Sequence, residues 1–180
     1  MSIANKISIA RILLVPVIVA SLLYYSPERD GLRFVAFGVF VLGILSDALD
    51  GFLARLWHQE SELGTILDPI ADKALILSAL ISCSTIHGLP AWMRVPAWFN
   101  LIVISRDVLL ISGSVLLFIL KGRWSVRPSR LGKWTTFMQM MVVPSVLLGW
   151  PVTGALLLLA ATCTVCSAVG YVRTGIRALD

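Results

Sequence analysis

Apolar positions run in long blocks along this chain, over residues 7–25, 32–53, 67–86, 97–120, 133–149 and 152–171. Short polar or turn-forming stretches separate them: "SPERDG", "RLWHQESE", "HGLPAWMRVP", "KGRWSVRPSRLG" and "WP". A hydrocarbon core about 30 Å thick needs about 20 apolar residues per helix. The pattern therefore predicts six membrane-spanning helices with short connections. The expected fold class is all-α: an integral membrane protein with six transmembrane helices, one domain over residues 1–180, and a polar cavity facing the cytoplasm. The first block could be mistaken for a secretion signal. It is too long for one, carries Arg11 and Pro16 inside it, and lacks a small-x-small cleavage site followed by a soluble region, so it is read as a retained span.

Composition agrees with the pattern. Of 180 residues, 58% are hydrophobic and 14% charged, which is far from the usage of a soluble domain and leaves no room for one. The three cysteines, Cys83, Cys163 and Cys166, all fall in apolar runs and read as small packing residues.

Charge becomes informative once it is placed along the chain. With the N-terminus in the cytoplasm, the inner side holds Lys6, Arg11, Arg55, Lys121, Arg123, Arg127, Arg130, Lys133, Arg173 and Arg177, and the outer side only Arg29, Arg33 and Arg94. Ten cations against three set this orientation. The expected location is the inner, cytoplasmic membrane, with the chain crossing it several times and the active site open to the cytoplasm. The basic inner face suits anionic headgroups of the bilayer, and no nucleic acid is needed to explain it.

Against this background four carboxylates stand out in "SDALDGFLARLWHQESELGTILDPIADK". Asp47, Asp50 and Ala54 fall on one stripe of the second helix, with Gly51 beside it, and Asp68 and Asp72 repeat the spacing on the third. A connection of about a dozen residues brings the two stripes to one depth across an antiparallel pair. Four ionised carboxylates there repel one another, and each costs about 2.5–3.5 kcal/mol to insert. Lys73 and Arg55 do not balance them. One or two hard divalent ions with oxygen ligands, Mg²⁺ or Mn²⁺, would. Two other readings remain open: Asp68-Pro69 as a helix start with Asp47 or Asp50 paired to Arg55, or a proton or ion pathway, as in a small ion transporter. Gly51, Gly64 and Ala54 leave room for a bulky ligand against the backbone, which suits a nucleotide better than an ion. No inverted repeat of the transporter kind is visible.

The spacing Asp47-x2-Asp50-Gly51-x2-Ala54-Arg55-x8-Gly64-x3-Asp68-x3-Asp72 resembles, at every fixed position, the CDP-alcohol phosphatidyltransferase family. The opening "NKISIARILLVP", with Asn5, Arg11 and Pro16, is similar to that family's first helix. The resemblance implies transfer of a phosphatidyl group from CDP-diacylglycerol to an alcohol with release of CMP, using two metal ions. It makes Asp47, Asp50, Asp68 and Asp72 the metal ligands, and Asp72 also the general base. Gly51, Ala54 and Gly64 would border the cytidine and ribose, Arg55 would meet the diphosphate, and Thr65 is a weaker candidate. The oligomeric state, a homodimer included, is left open.

The acceptor is read from the later helices. An arginine inside the fourth span is expensive, so Arg106 is expected to face the active-site cavity, with pairing to a neighbouring carboxylate as the alternative. Lys133 is the second acceptor candidate. Phosphatidylglycerophosphate synthases usually carry a second arginine eight residues after the first and a Gly-Lys-x-Lys-Thr stretch at the fifth helix; here those cationic positions are Ser114 and Thr135. Glycerol 3-phosphate is a dianion that wants several charged donors. The sequence thus resembles more closely the CMP-forming cardiolipin synthases, whose acceptor is phosphatidylglycerol, with glycerol 3-phosphate as the alternative.

Overall fold

The computed structural model describes the backbone of residues 3–57, 62–121 and 130–179, and the side chains of residues 9–46, 70–116, 119 and 131–176. Among the described residues all regular structure is helical: α1 (Ile3–Leu23), α2 (Gly31–Trp57), α3 (Glu62–Thr85), α4 (Ala97–Lys121), α5 (Arg130–Leu147) and α6 (Thr153–Leu179), with single 3₁₀ turns at Pro27–Arg29 and Ala91–Met93. The shortest, α5, has 18 residues, about 27 Å at 1.5 Å per residue. Two stretches, Ala91–Leu116 and Thr153–Ile176, are long and apolar enough to cross a membrane by length and composition; Ile9–Leu23 and Gly31–Ser46 are shorter apolar helices.

The chain divides into two compact units, Met1–Val95 with Val143–Trp150, and Pro96–Val142 with Pro151–Asp180. In the first, α1 packs on both α2 and α3, and α2 on α3. Ile18, Leu22, Ala36, Phe40, Leu75, Ala79 and Leu80 form its buried interior. Gly43 lets α2 approach α3, since a Cβ there would lie 2.6 Å from Leu75 Cδ2, the use that membrane helices make of small residues. Arg33 pairs with Asp30 at 2.8 Å and lies over the rings of Phe34 and Trp92, and Arg94 donates to the carbonyls of His87 and Leu89. The end of α5 also belongs to this unit. The Trp150 and Gly149 amides donate to the Ser145 and Val146 carbonyls, with Gly149 at φ +65°. That is a Schellman close, which needs a left-handed residue and explains why the helix stops before Pro151.

In the second unit α4 packs on α6. Its buried groups are unusually polar, including Asn100, Arg106, Asp107, Thr135, Gln139, Thr164 and Ser167, while Leu101, Ile111 and Leu158 are more than half exposed. Apolar surface outside and polar groups inside is the reverse of a soluble domain. It suits a chain surrounded by hydrocarbon, where buried polar groups join helices. Among the cysteines, Cys83 is buried, Cys163 half-buried and Cys166 exposed, all unpaired; Cys166 is thus a surface residue and not the packing residue expected.

Candidate active site

The last three turns of α2 carry Asp47, Asp50, Gly51, Ala54 and Arg55, and the first three turns of α3 carry Gly64, Thr65, Asp68 and Asp72. Both stretches are helical, so the three- and four-residue spacings place each pair of aspartates on one stripe. The side chains of Asp47, Asp50, Gly51, Ala54, Arg55, Gly64, Thr65 and Asp68 lie outside the described residues, so their register is given and their contacts are not. Because α3 begins at Glu62, Asp68-Pro69 is not a helix start, and the N-cap reading of that aspartate falls. Pro69 lies within the second turn of the helix instead, where its missing N–H leaves a backbone carbonyl one turn earlier without its usual donor.

Asp72 is the one member of the acidic set whose side chain is described. Its Oδ1 accepts a hydrogen bond from Arg11 Nη1 at 2.8 Å, in an ion pair whose side chains are 0% exposed for Arg11 and 23% for Asp72. This corrects one sequence-based expectation. Arg11 does not reach toward headgroups as one of the inner-face cations; it is wholly enclosed in the packing of α1. A cation that meets Asp72 thus comes from α1, while the Arg55 side chain, one of the two counter-ions weighed from the sequence, lies outside the described residues. The available signal was an arginine placed within an apolar helix, which is costly unless it is paired.

The acceptor candidates belong to the second unit. Arg106 is 7% exposed, donating from Nη1 to Asp107 Oδ1 at 2.8 Å and from Nη2 to Ser167 Oγ at 3.3 Å. Pairing with the neighbouring carboxylate, the alternative left open by the sequence, is the contact this side chain makes. Lys133 is exposed on the first turn of α5. Ser114 Oγ bonds the Leu110 carbonyl at 2.7 Å and the Tyr171 hydroxyl at 2.8 Å. Thr135 is 0% exposed, and its hydroxyl donates to the Leu131 and Cys163 carbonyls at 2.9 and 3.1 Å. Both hydroxyls join neighbouring helices, Ser114 α4 to α6 and Thr135 α5 to α6.

The model of the family described as CDP-alcohol phosphatidyltransferase matches residues 1–166. The chain belongs to the CDP-alcohol phosphatidyltransferase family. By family it is a phosphatidyltransferase of phospholipid biosynthesis. It is 35% identical to a CDP-diacylglycerol–glycerol-3-phosphate 3-phosphatidyltransferase of Cereibacter sphaeroides, over 82% of this chain and 64% of that protein, so it spans slightly less than two thirds of that relative. A probable phosphatidylglycerophosphate synthase of Mycobacterium tuberculosis is 32% identical over 98% of this chain and 82% of its own length. A CMP-forming cardiolipin synthase of Streptomyces coelicolor is 35% identical over 83% of this chain and 68% of its own length.

For a phosphatidyltransferase the aspartate set has suitable chemistry. Carboxylate oxygens are the ligands that Mg²⁺ and Mn²⁺ prefer. Asp72 retains 23% exposure beside Arg11, so the carboxylate is held yet still reachable. α2 and α3, which carry all four aspartates, pack on one another.

Proposed function

We propose that this chain transfers the phosphatidyl group of CDP-diacylglycerol to phosphatidylglycerol, forming cardiolipin and releasing CMP. The observation that carries the choice of acceptor is the closure of Ser114 and Thr135 into interhelical hydrogen bonds. At these positions a site for glycerol 3-phosphate would be expected to hold two more cations, and a phosphodiester acceptor with one negative charge has less need of them.

In this reading Asp47, Asp50, Asp68 and Asp72 hold two Mg²⁺ or Mn²⁺ ions. Bound there, such ions would neutralise the diphosphate and steady the departing CMP. Gly51, Ala54 and Gly64 give the cytidine and ribose a surface without bulk, Arg55 meets the diphosphate, and Thr65 adds a hydroxyl. Asp72 accepts the proton of the acceptor hydroxyl as that oxygen attacks the lipid-side phosphorus. The bond from that phosphorus to the CMP oxygen breaks, and the electron pair leaves with CMP. Lys133 binds the acceptor phosphate, and Arg106 does so in addition to its pair with Asp107. The six helices span the inner membrane with both termini in the cytoplasm, which puts the acidic ends of α2 and α3 within reach of a cytosolic nucleotide product.

A second reading, with glycerol 3-phosphate as acceptor, is favoured by the printed names of the Cereibacter and Mycobacterium relatives. The deciding experiment offers the purified protein CDP-diacylglycerol with either phosphatidylglycerol or glycerol 3-phosphate and identifies the lipid product. Cardiolipin formed from phosphatidylglycerol is the expected result. Efficient formation of phosphatidylglycerophosphate, without cardiolipin, would overturn the acceptor and leave phosphatidyl transfer intact.

A further inference from the structure

The Arg11–Asp72 ion pair joins a residue with no assigned role to the proposed base. A carboxylate is nearly twofold symmetric about its last torsion, and that torsion is soft. Rotation about it exchanges the two oxygens that Asp72 offers to a substrate. The Arg11 donor at 2.8 Å from Oδ1 opposes that rotation. Arg11 is fully buried and fixed on a different helix, α1, which packs directly on α3. Apolar packing does not require a guanidinium here, because Ile18 and Leu22 already bury α1 in the same unit. A buried arginine is expensive and needs a partner.

We infer that Arg11 is a positioning residue for Asp72: by donating to Oδ1 it restrains the rotation of the carboxylate and so aims the base at the acceptor hydroxyl. The inference rests on the reading of Asp72 as the base. Charge balance alone would be served equally by lysine, a point charge on a flexible stem. A donor held at one fixed place would not, because the Nη1 that meets Oδ1 is carried by a rigid planar guanidinium.

The test compares the full chain with Arg11→Lys, Arg11→Gln and Asp72→Asn in lipid–detergent micelles. It measures kcat and KM for CDP-diacylglycerol, the thermal midpoint, and bound Mn²⁺ by electron paramagnetic resonance. Loss of orientation should lower kcat by about 10- to 100-fold in both Arg11 variants, with KM within about twofold of the parent. Mn²⁺ should stay bound, and Arg11→Lys should keep the parent's thermal midpoint. If Arg11→Gln does not fold, Arg11→Lys alone carries the comparison. A parental kcat in Arg11→Lys beside an inactive Asp72→Asn overturns the positioning role and spares the base. Mn²⁺ lost in step with rate, or failure of both Arg11 variants to fold, makes Arg11 a framework residue and also overturns it. A parental rate in Asp72→Asn removes the base itself, which is a different failure.

Discussion

Thr135→Lys tests whether position 135 can accept the cation that a glycerol 3-phosphate site would place there. The threonine is 0% exposed and its hydroxyl spans to the Cys163 carbonyl at 3.1 Å. Losing that interhelical bond costs about 0.6 kcal/mol, the average measured for such bonds in membranes. Placing an ammonium among buried groups adds about 2.5–3.5 kcal/mol on insertion scales. The sum, about 3–4 kcal/mol, is a factor of roughly 150 to 900 in the folded-to-unfolded ratio. Thr135→Val loses only the first term, and so separates the missing hydrogen bond from the buried charge. Unfolding of parent, Thr135→Val and Thr135→Lys should be followed in the same detergent without substrate. The valine variant should stay near the parent and the lysine variant should fall well below both. A lysine variant as stable as the valine variant would refute the reasoning, because position 135 would then have space or a counter-charge ready for a cation.

Other consequences can be checked independently. Gly149→Ala forces a side chain into φ +65° with its Cβ 3.0 Å from the Trp92 ring, which costs about 1–2 kcal/mol for the backbone alone; its thermal midpoint should drop, and an unchanged midpoint would contradict the Schellman close. Arg106→Gln takes from Asp107 its 2.8 Å partner and should raise KM for phosphatidylglycerol while leaving KM for CDP-diacylglycerol alone; equal effects on both would remove Arg106 from the acceptor site. A cysteine at the exposed Gly88 should react with an external impermeant reagent and one at Asp180 should not, and the reverse pattern would invert the proposed topology.

The helices were legible because each coincides with a long apolar run, and most of their boundaries follow it to within about five residues. The largest shift is at the end of α6, expected to stop at residue 171 and observed to run to Leu179; the next is at α3, expected from residue 67 and observed from Glu62. Polar residues and Pro69 at its start imitate a break, whereas the helix runs through them. The aspartate spacing was legible because helical period is a property of local sequence. The Arg11 contact was not, since its partner lies 61 residues away and a lone arginine near the start of a chain reads equally well as facing headgroups. At Arg106 the sequence showed an expensive charge and its adjacent carboxylate, but the helix-to-helix bond to Ser167 depends on packing. Ser114 and Thr135 were legible as missing charges, while their bonds to Tyr171 and the Cys163 carbonyl depend on how α6 lies against α4 and α5.

The central claim is metal-dependent phosphatidyl transfer at the aspartates of α2 and α3. Its most direct measurement is CMP release from CDP-diacylglycerol in the presence of phosphatidylglycerol, first with excess chelator and then during titration with Mg²⁺ or Mn²⁺, for the parent and Asp47→Asn. The account predicts no CMP in chelator, recovery on adding either ion, and a loss of several orders of magnitude in the variant. Full CMP release in excess chelator, with Asp47→Asn as fast as the parent, would contradict it.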